Sequence, residues 1–396
     1  MKDKHAMSEE ITTKDNRKNK RSLAILAVLL LLLCLVSGLF IRYLLKPEPL
    51  PELILPNNEL NYPPHYLFSI YGVEQPVGIA LSPDGSRIYV SESGGERMIK
   101  MFNRDGDELG AFAPPKTQRG ERSPVYMATD QHGRLFVTDR LQHAIFVYDA
   151  DGTYLDTLLT ADLSLSEYVD RHIGGLQDGT TYAYNVFHSL VYYQIPGYEE
   201  ATIPAPIFPS RWAPLGIRID AQNNVFVTNV QEGSNQVHTF GLPADTILTG
   251  WYSVNQNSPT FGETGQHNGE LSYPNTAVTD SHGRIYVSDG NNGRIAVWDS
   301  NHNFLYNFGG GNGEDALSLP RGIFIDEKDR LFVVDAVGQN IKVYNVTGEE
   351  PAFLYSFGDW GMEDGLFNYP NDIVVDQSGR IYIVDRENHR VQVWSY

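Results

Sequence analysis

One pattern returns six times in this chain and leaves it few ways to fold. Each copy opens on Pro, runs through two variable residues into an apolar stretch, and turns at an acidic or polar segment containing Gly. An apolar-aromatic triplet, an acid and a further apolar strand ending in an aromatic residue complete it. The copies begin at Pro76, Pro124, Pro214, Pro274, Pro320 and Pro370. Their triplets are Ile88-Tyr89-Val90, Leu135-Phe136-Val137, Val225-Phe226-Val227, Ile285-Tyr286-Val287, Leu331-Phe332-Val333 and Ile381-Tyr382-Ile383. The strands after them end in Phe102, Tyr148, Phe240, Trp298, Tyr344 and Trp394. Triplets that are β-branched and aromatic, and apolar on both faces, suit strands sandwiched between neighbouring sheets. The Asp-x-x-Gly-Arg segments at 130–134, 280–284 and 376–380 read as hairpin turns. Four strands per copy at a period of about 45 residues is the mark of a propeller blade. The expected fold is therefore all-β, a six-bladed β-propeller.

The outermost strands predict how the ring closes. Phe304–Gly309 and Phe353–Gly358 are fourth strands of their copies, whereas the last copy stops at Tyr396 without one. Tyr66–Gly72, at the front, has the same pattern. Pairing it into the last blade would leave no open sheet edge.

The repeat resembles the NHL family. Ile383-Val384-Asp385-Arg386-Glu387-Asn388-His389-Arg390-Val391 carries the name-giving Asn-His position, and Gly358…Gly361…Gly365…Phe367…Pro370 and Gly309…Gly313…Leu317…Pro320 match the family's Gly-rich loop between blades. The resemblance covers residues 66–396 except 160–213. Blades 1 to 3 depart most: Glu92 and Asn229 replace the Asp after strand two, and Ala144 replaces the Arg. The resemblance implies a TolB-like propeller. Related peptide-amidating lyases carry zinc on a His directly after the anchoring proline. Val77, Val125, Leu215, Asn275, Arg321 and Asn371 stand there instead, so zinc lyase chemistry is rejected.

Residues 160–213 are read as an insertion in preference to a degenerate seventh blade, because the Pro-anchored first strand and the acid are missing. The segment is rich in aromatics, and Tyr182, Tyr184, Tyr192, Tyr193, Tyr198 and Trp212 are candidate partner-binding residues.

The N-terminal region has a different composition. Residues 1–21 form a basic tail with seven Lys/Arg and four Asp/Glu. Ser22 to Ile41 is a run of twenty uncharged, mostly aliphatic residues, enough to span a hydrocarbon core of about 30 Å as a helix. Residues 22–45 are expected to be an uncleaved transmembrane signal-anchor helix, longer than the ~7–15-residue core of a cleaved leader. Basic residues ahead of it predict a cytoplasmic N-terminus and an extracytoplasmic propeller, single-pass in the cell membrane. Residues 46–64, with six prolines, read as a stiff linker. Beyond Lys46 there are 21 bases and 45 acids, or −24, a field that repels nucleic acid. The one cysteine, Cys34, lies in the expected span, so the propeller carries no disulfide.

Chemistry is sparse. An acid or its amide recurs after strand two in every blade (Glu92, Asp139, Asn229, Asp289, Asp335 and Asp385), which suits a turn cap better than a catalyst. Gly309, Gly310, Gly311 and Gly313 lack the Lys-Ser/Thr of a phosphate loop. No catalytic residue and no metal ligand set is assigned. The residues opening the innermost strands should line the central channel. Val77, Val125 and Leu215 are apolar, whereas Tyr126, Asn275, Arg321, Asn371 and Asp372 are candidate ligand-binding residues, with Arg321 and Asp372 as a charged pair. The preferred function is a non-enzymatic binding or scaffold module for a protein, peptide or glycan on the outer side. The alternative is a lactonase-like hydrolase or lyase acting in the channel, with Ca²⁺ held by Asn275, Asn371 and Asp372. No other cofactor is expected.

Overall fold

The computed structural model describes residues 26–38, 40–42, 62–206, 212–242 and 259–396. Two compact units separate at Glu52/Leu53. In the first, residues 26–38 and 40–42 are helical. Among the described residues no helix is long and apolar enough to cross a membrane, so the expected spanning helix is not found there. Positions 22–25, 39 and 43–45 of the expected span lie outside the described residues, as do the tail at 1–21 and linker positions 46–61.

The second unit is a propeller-like all-β structure. Each anchoring proline starts an antiparallel sheet. Sheet 1 holds Pro76–Leu81, Arg87–Glu92, Ile99–Asn103 and Glu108–Phe112. Sheet 2 holds Pro124–Thr129, Leu135–Asp139, Ala144–Tyr148 and Tyr154–Thr160, with Leu163–Ser164 added at the edge. Sheet 3 is Pro214–Ile219, Asn224–Gln231, Ser234–Gly241 and Thr260–Phe261; sheet 4 is Pro274–Thr279, Ile285–Asp289, Arg294–Trp298 and Phe304–Phe308. Sheet 5 is Pro320–Ile325, Arg330–Asp335, Asn340–Asn345 and Ala352–Phe357. Sheet 6 has Pro370–Val375, Ile381–Asp385 and Arg390–Ser395 from the C-terminus, and its fourth strand is His65–Ile70. That strand pairs Tyr66 with Trp394, Phe68 with Val393 and Ile70 with Val391, as the sequence pattern predicted.

Apolar side chains fill the space between successive sheets. Phe136 and Ile217 belong to the cluster joining sheets 2 and 3, and Phe226 and Val287 to the one between sheets 3 and 4. Tyr286 and Val333 join sheets 4 and 5, Phe332 and Ile383 join 5 and 6, and Val391 and Ile79 join 6 and 1. The six inner strands touch in chain order, and Pro370–Val375 also touches Pro76–Leu81.

Each inner strand is irregular at the same place: the ladder slips just after the proline, between Pro214 and Ile217 for example. A β-bulge frees backbone amides and bends the strand. In four sheets a hydroxyl from the second strand takes a freed amide: Ser91 accepts from Gly78, Thr138 from Tyr126, Thr228 from Gly216 and Ser288 from Thr276. Three of these hydroxyls donate onward to the next sheet, Ser91 to the Val125 carbonyl at 2.5 Å, Thr138 to Leu215 at 2.6 Å and Thr228 to Asn275 at 2.9 Å. The sheets approach so closely that a Cβ on Gly216 would sit 1.7 Å from the Asn275 carbonyl oxygen.

The acids after strand two cap the chain ahead of the prolines. Asp139 accepts from the Ser123 amide at 2.8 Å and Asp385 from the Asn368 amide at 2.7 Å. Asp385 also pairs with Arg390 at 2.8 Å.

The insertion forms a helix, Leu165–Ile173, and a three-stranded sheet of Thr181–Asn185, Leu190–Gln194 and Ala201–Pro204. Ser164 caps the helix by accepting from the Glu167 amide, and Gly174 ends it in the left-handed region at φ 78°. Leu165, Val169, Tyr184 and Val191 are buried against Phe146 and Leu159 of sheet 2. Because the inner strands of sheets 2 and 3 touch directly, the insertion places no strand between them.

If the ring depends on its N-terminal strand, deleting residues 62–72 exposes the apolar edge of sheet 6. The shortened chain is then expected to aggregate or lose its single cooperative melting transition in calorimetry. A monomer that melts as the full chain does would contradict this closure.

Candidate functional site

The slip after each proline turns the following side chain toward the middle of the ring. There, at one end of the channel, lies a cavity of about 200 Å³. Of its fourteen lining residues, twelve come from three positions of the repeat: just before the proline, just after it, and just after the acid that ends strand two. The site is thus built from the repeat itself.

One half is apolar, with Val77, Val125 and Leu215. The other half is a network. Arg321 donates from Nη1 to Asn275 Oδ1 at 3.0 Å and from Nη2 to the Tyr369 hydroxyl at 3.1 Å. The Tyr126 hydroxyl donates to Asn275 Oδ1 at 3.4 Å and accepts from Asn371 Nδ2 at 3.3 Å. Asn371 also donates to the Val77 carbonyl at 2.6 Å. Burial pushes the Tyr126 phenol well above its ordinary range, so it stays a neutral donor and acceptor.

Around the rim, guanidinium and phenol alternate. Arg140 lies 5.7 Å from the Tyr273 ring centre and Arg321 5.9 Å from it. Arg321 lies 6.0 Å and Arg386 5.8 Å from the Tyr369 ring centre. These are cation–π distances. Tyr273 and Tyr369 both precede prolines with positive φ, 57° and 56°, an uncommon backbone state for an aromatic residue.

Four of the five sequence-predicted channel residues, Tyr126, Asn275, Arg321 and Asn371, therefore meet at this mouth. Asp372 does not. It is fully buried, pairs with Arg218 Nη2 at 2.5 Å, and accepts from the Ile79 amide at 3.0 Å. Burial raises its carboxyl, against the pull of Arg218 and the Ile79 and Ile373 amides. The expected Arg321–Asp372 pair is thus replaced by Arg218–Asp372, because the slip turns Asp372 inward while Arg321 stays on the rim. Nor do Asn275, Asn371 and Asp372 present converging oxygens to Ca²⁺. Arg321 and Tyr126 occupy Asn275 Oδ1, Arg218 holds Asp372, and the Asn371 amide faces acceptors. Among the described residues no group of three or more His, Cys, Asp or Glu is placed to hold a metal ion.

The insertion aromatics are distributed differently. Tyr184 and Trp212 are buried, Trp212 in the core between sheets 2 and 3. Tyr182 donates to the Leu155 carbonyl at 3.3 Å and sits edge-on to Tyr154. Tyr193 packs on the sheet 2 cluster, and Tyr192 lies under Lys116 and bonds His188. Tyr198 is 70% exposed.

Arg140, Arg218, Tyr273, Tyr369 and Arg386 went unnoticed in the sequence. Each had a signal in the aligned repeats. Arg218 takes a slot held elsewhere by Ala80, Ala128, Val278, Phe324 and Val374, and Arg140 and Arg386 both follow the strand-two acid.

A family model described as NHL repeat matches residues 367–394, the last repeat. Protein brain tumor of Drosophila melanogaster is 26% identical over 147 residues, 37% of this chain. The last repeat is an NHL repeat, and the fold around it is a propeller. That match covers 12% of the fly protein's length, so only the repeat is shared. Among solved structures, a streptogramin B lyase superposes with a TM-score of 0.50 at 10% identity, covering 84% of this chain and 98% of the lyase chain. A chain of the mitotic checkpoint complex gives 0.51 at 11% identity, covering 88% and 99%. Likeness at such identities extends to the fold alone.

Proposed function

We propose that this NHL propeller is a six-bladed, non-catalytic recognition module that takes its ligand at the channel mouth. The observation that carries this reading is the composition of the mouth: guanidiniums, amides, phenols, Ser hydroxyls and hydrocarbon, with neither a carboxylate nor an imidazole. Hydrolysis or elimination needs a group that gains and loses a proton near neutral pH. The buried Tyr126 phenol is pushed away from that range, and the Arg321 guanidinium is raised further, burial working against its charge but the Tyr126, Tyr369 and Tyr273 phenols outweighing it. Convergent polar groups facing an apolar wall suit binding. The six blades rest on the closed order of inner-strand contacts. The ligand in this reading is a small molecule or the end of a peptide, since most insertion aromatics are engaged in packing.

Dialysis of the full-length chain against mixed amino acids, organic acids and short peptides tests this. Mass spectrometry should show one class enriched, recovered unchanged, and not enriched by Val77→Trp, which fills the apolar half. Equal enrichment by both proteins would place binding elsewhere, and conversion of the bound compound would make the protein an enzyme.

We also propose that the N-terminal apolar segment holds the chain in the cell membrane with the propeller outside. The support is the charge asymmetry about residues 22–41. Protease added outside intact cells should then degrade residues beyond Lys46 and spare the first twenty. Protection of the propeller would contradict this.

A further inference from the structure

The mouth is locally positive in a strongly negative domain. Three of its fourteen lining residues are Arg and none is Asp or Glu, although acids outnumber bases 45 to 21 beyond Lys46. The three guanidiniums come from sheets 2, 5 and 6, brought together only by the ring. Arg386 has a counter-charge, Glu387 at 3.6 Å. Arg140 and Arg321 have no carboxylate within ion-pair distance among the described residues. Arg321 is largely buried, and its Nε is buried with no hydrogen-bond partner. A buried cation without a counter-charge is costly. The Tyr273 and Tyr369 faces offset part of that cost, and an anion would offset more.

Resting on the mouth as the recognition site, we propose that its ligand is an aliphatic carboxylate. The two oxygens face Arg140 and Arg321, and the branched hydrocarbon lies against Val77, Val125 and Leu215. A planar carboxylate matches a guanidinium's parallel donors. A phosphate, polar on every side, would turn oxygens toward the apolar half and leave them unbonded. The cavity, about 200 Å³, is smaller than the ~300–1,000 Å³ typical of drug-sized ligands, so it admits a short acid or one terminal residue. The same chemistry has two sources: a free branched acid, or the C-terminal carboxylate of a peptide ending in Val or Leu.

Isothermal titration of the full-length chain separates these. The probes are 4-methylpentanoate, N-acetyl-Ala-Leu, its C-terminal amide and inorganic phosphate. Both acids should bind, the amide at least about ten-fold more weakly than its acid, and the tighter acid identifies the source. Arg140→Gln, at an exposed position, should weaken the acids roughly ten- to hundred-fold without altering melting. Arg321→Gln should do the same, with its folding checked by melting because it also bonds Asn275 and Tyr369. Phosphate binding as tightly as the acids, equal affinity for acid and amide, or no effect of Arg140→Gln would each overturn the proposal. If a neutral compound binds and Val77→Trp excludes it while neither acid binds, the mouth stands as a binding site and the carboxylate does not.

Discussion

The slip in register after each anchoring proline is the constraint from which the rest of this propeller follows. It takes residues out of the inner ladder, and backbone amides left unpaired in a buried place cost about 1–3 kcal/mol each. Short hydroxyls supply the missing partner. Thr228 accepts from Gly216 at 2.8 Å and donates to the Asn275 carbonyl of the next sheet at 2.9 Å, so one side chain satisfies its own sheet and ties it to its neighbour. Where sheet 6 has Val384 at that position, Asp372 reaches the Ile79 amide of sheet 1 instead, with Arg218 neutralising its charge. Beside these devices the sheets lie too close for any side chain on Gly216, which meets Asn275 and Thr228, or on Gly322, which meets Asp372.

The same slip aims the mouth. Residues one past the proline leave the ladder and face the channel, so Val77, Val125 and Leu215 collect on one side and Asn275, Arg321 and Asn371 on the other. Their polarity is set by blade, not by local propensity. Rigid sheets therefore hold the mouth in place before any ligand arrives, which reduces the ordering cost of binding. The domain's overall negative charge acts at longer range and is screened within roughly 8 Å at physiological salt, leaving the local guanidiniums to govern contact.

Much of the fold was legible in the sequence because each blade repeats its own instructions. The triplets such as Leu135-Phe136-Val137 are buried on both faces, and the Tyr66–Gly72 pattern found its place beside Arg390–Ser395. The mouth was legible in part. Position after the proline identified Asn275 and Arg321, but period-two patterning gives a side chain's face and not its depth, so Asp372 was placed on the rim when it lies beneath. Its partner Arg218 is 154 residues away in sequence, and pairing across blades has no local signal. No helix was assigned to the insertion, although Ser164 and Glu167 at the start and Gly174 at the end carry the capping pattern of the helix between them. The apolar N-terminal run was legible as composition, but among the described residues no helix is long and apolar enough to cross a membrane.

Thr228→Val tests the dependence of the ring on these bridging hydroxyls most directly. The substitution keeps the side chain's shape while removing the acceptor for Gly216 and the donor to Asn275. Equilibrium unfolding in urea should show a loss of roughly 1–3 kcal/mol, with the transition still cooperative. Stability unchanged to within about 0.5 kcal/mol, the range of an indifferent surface substitution, would contradict the account.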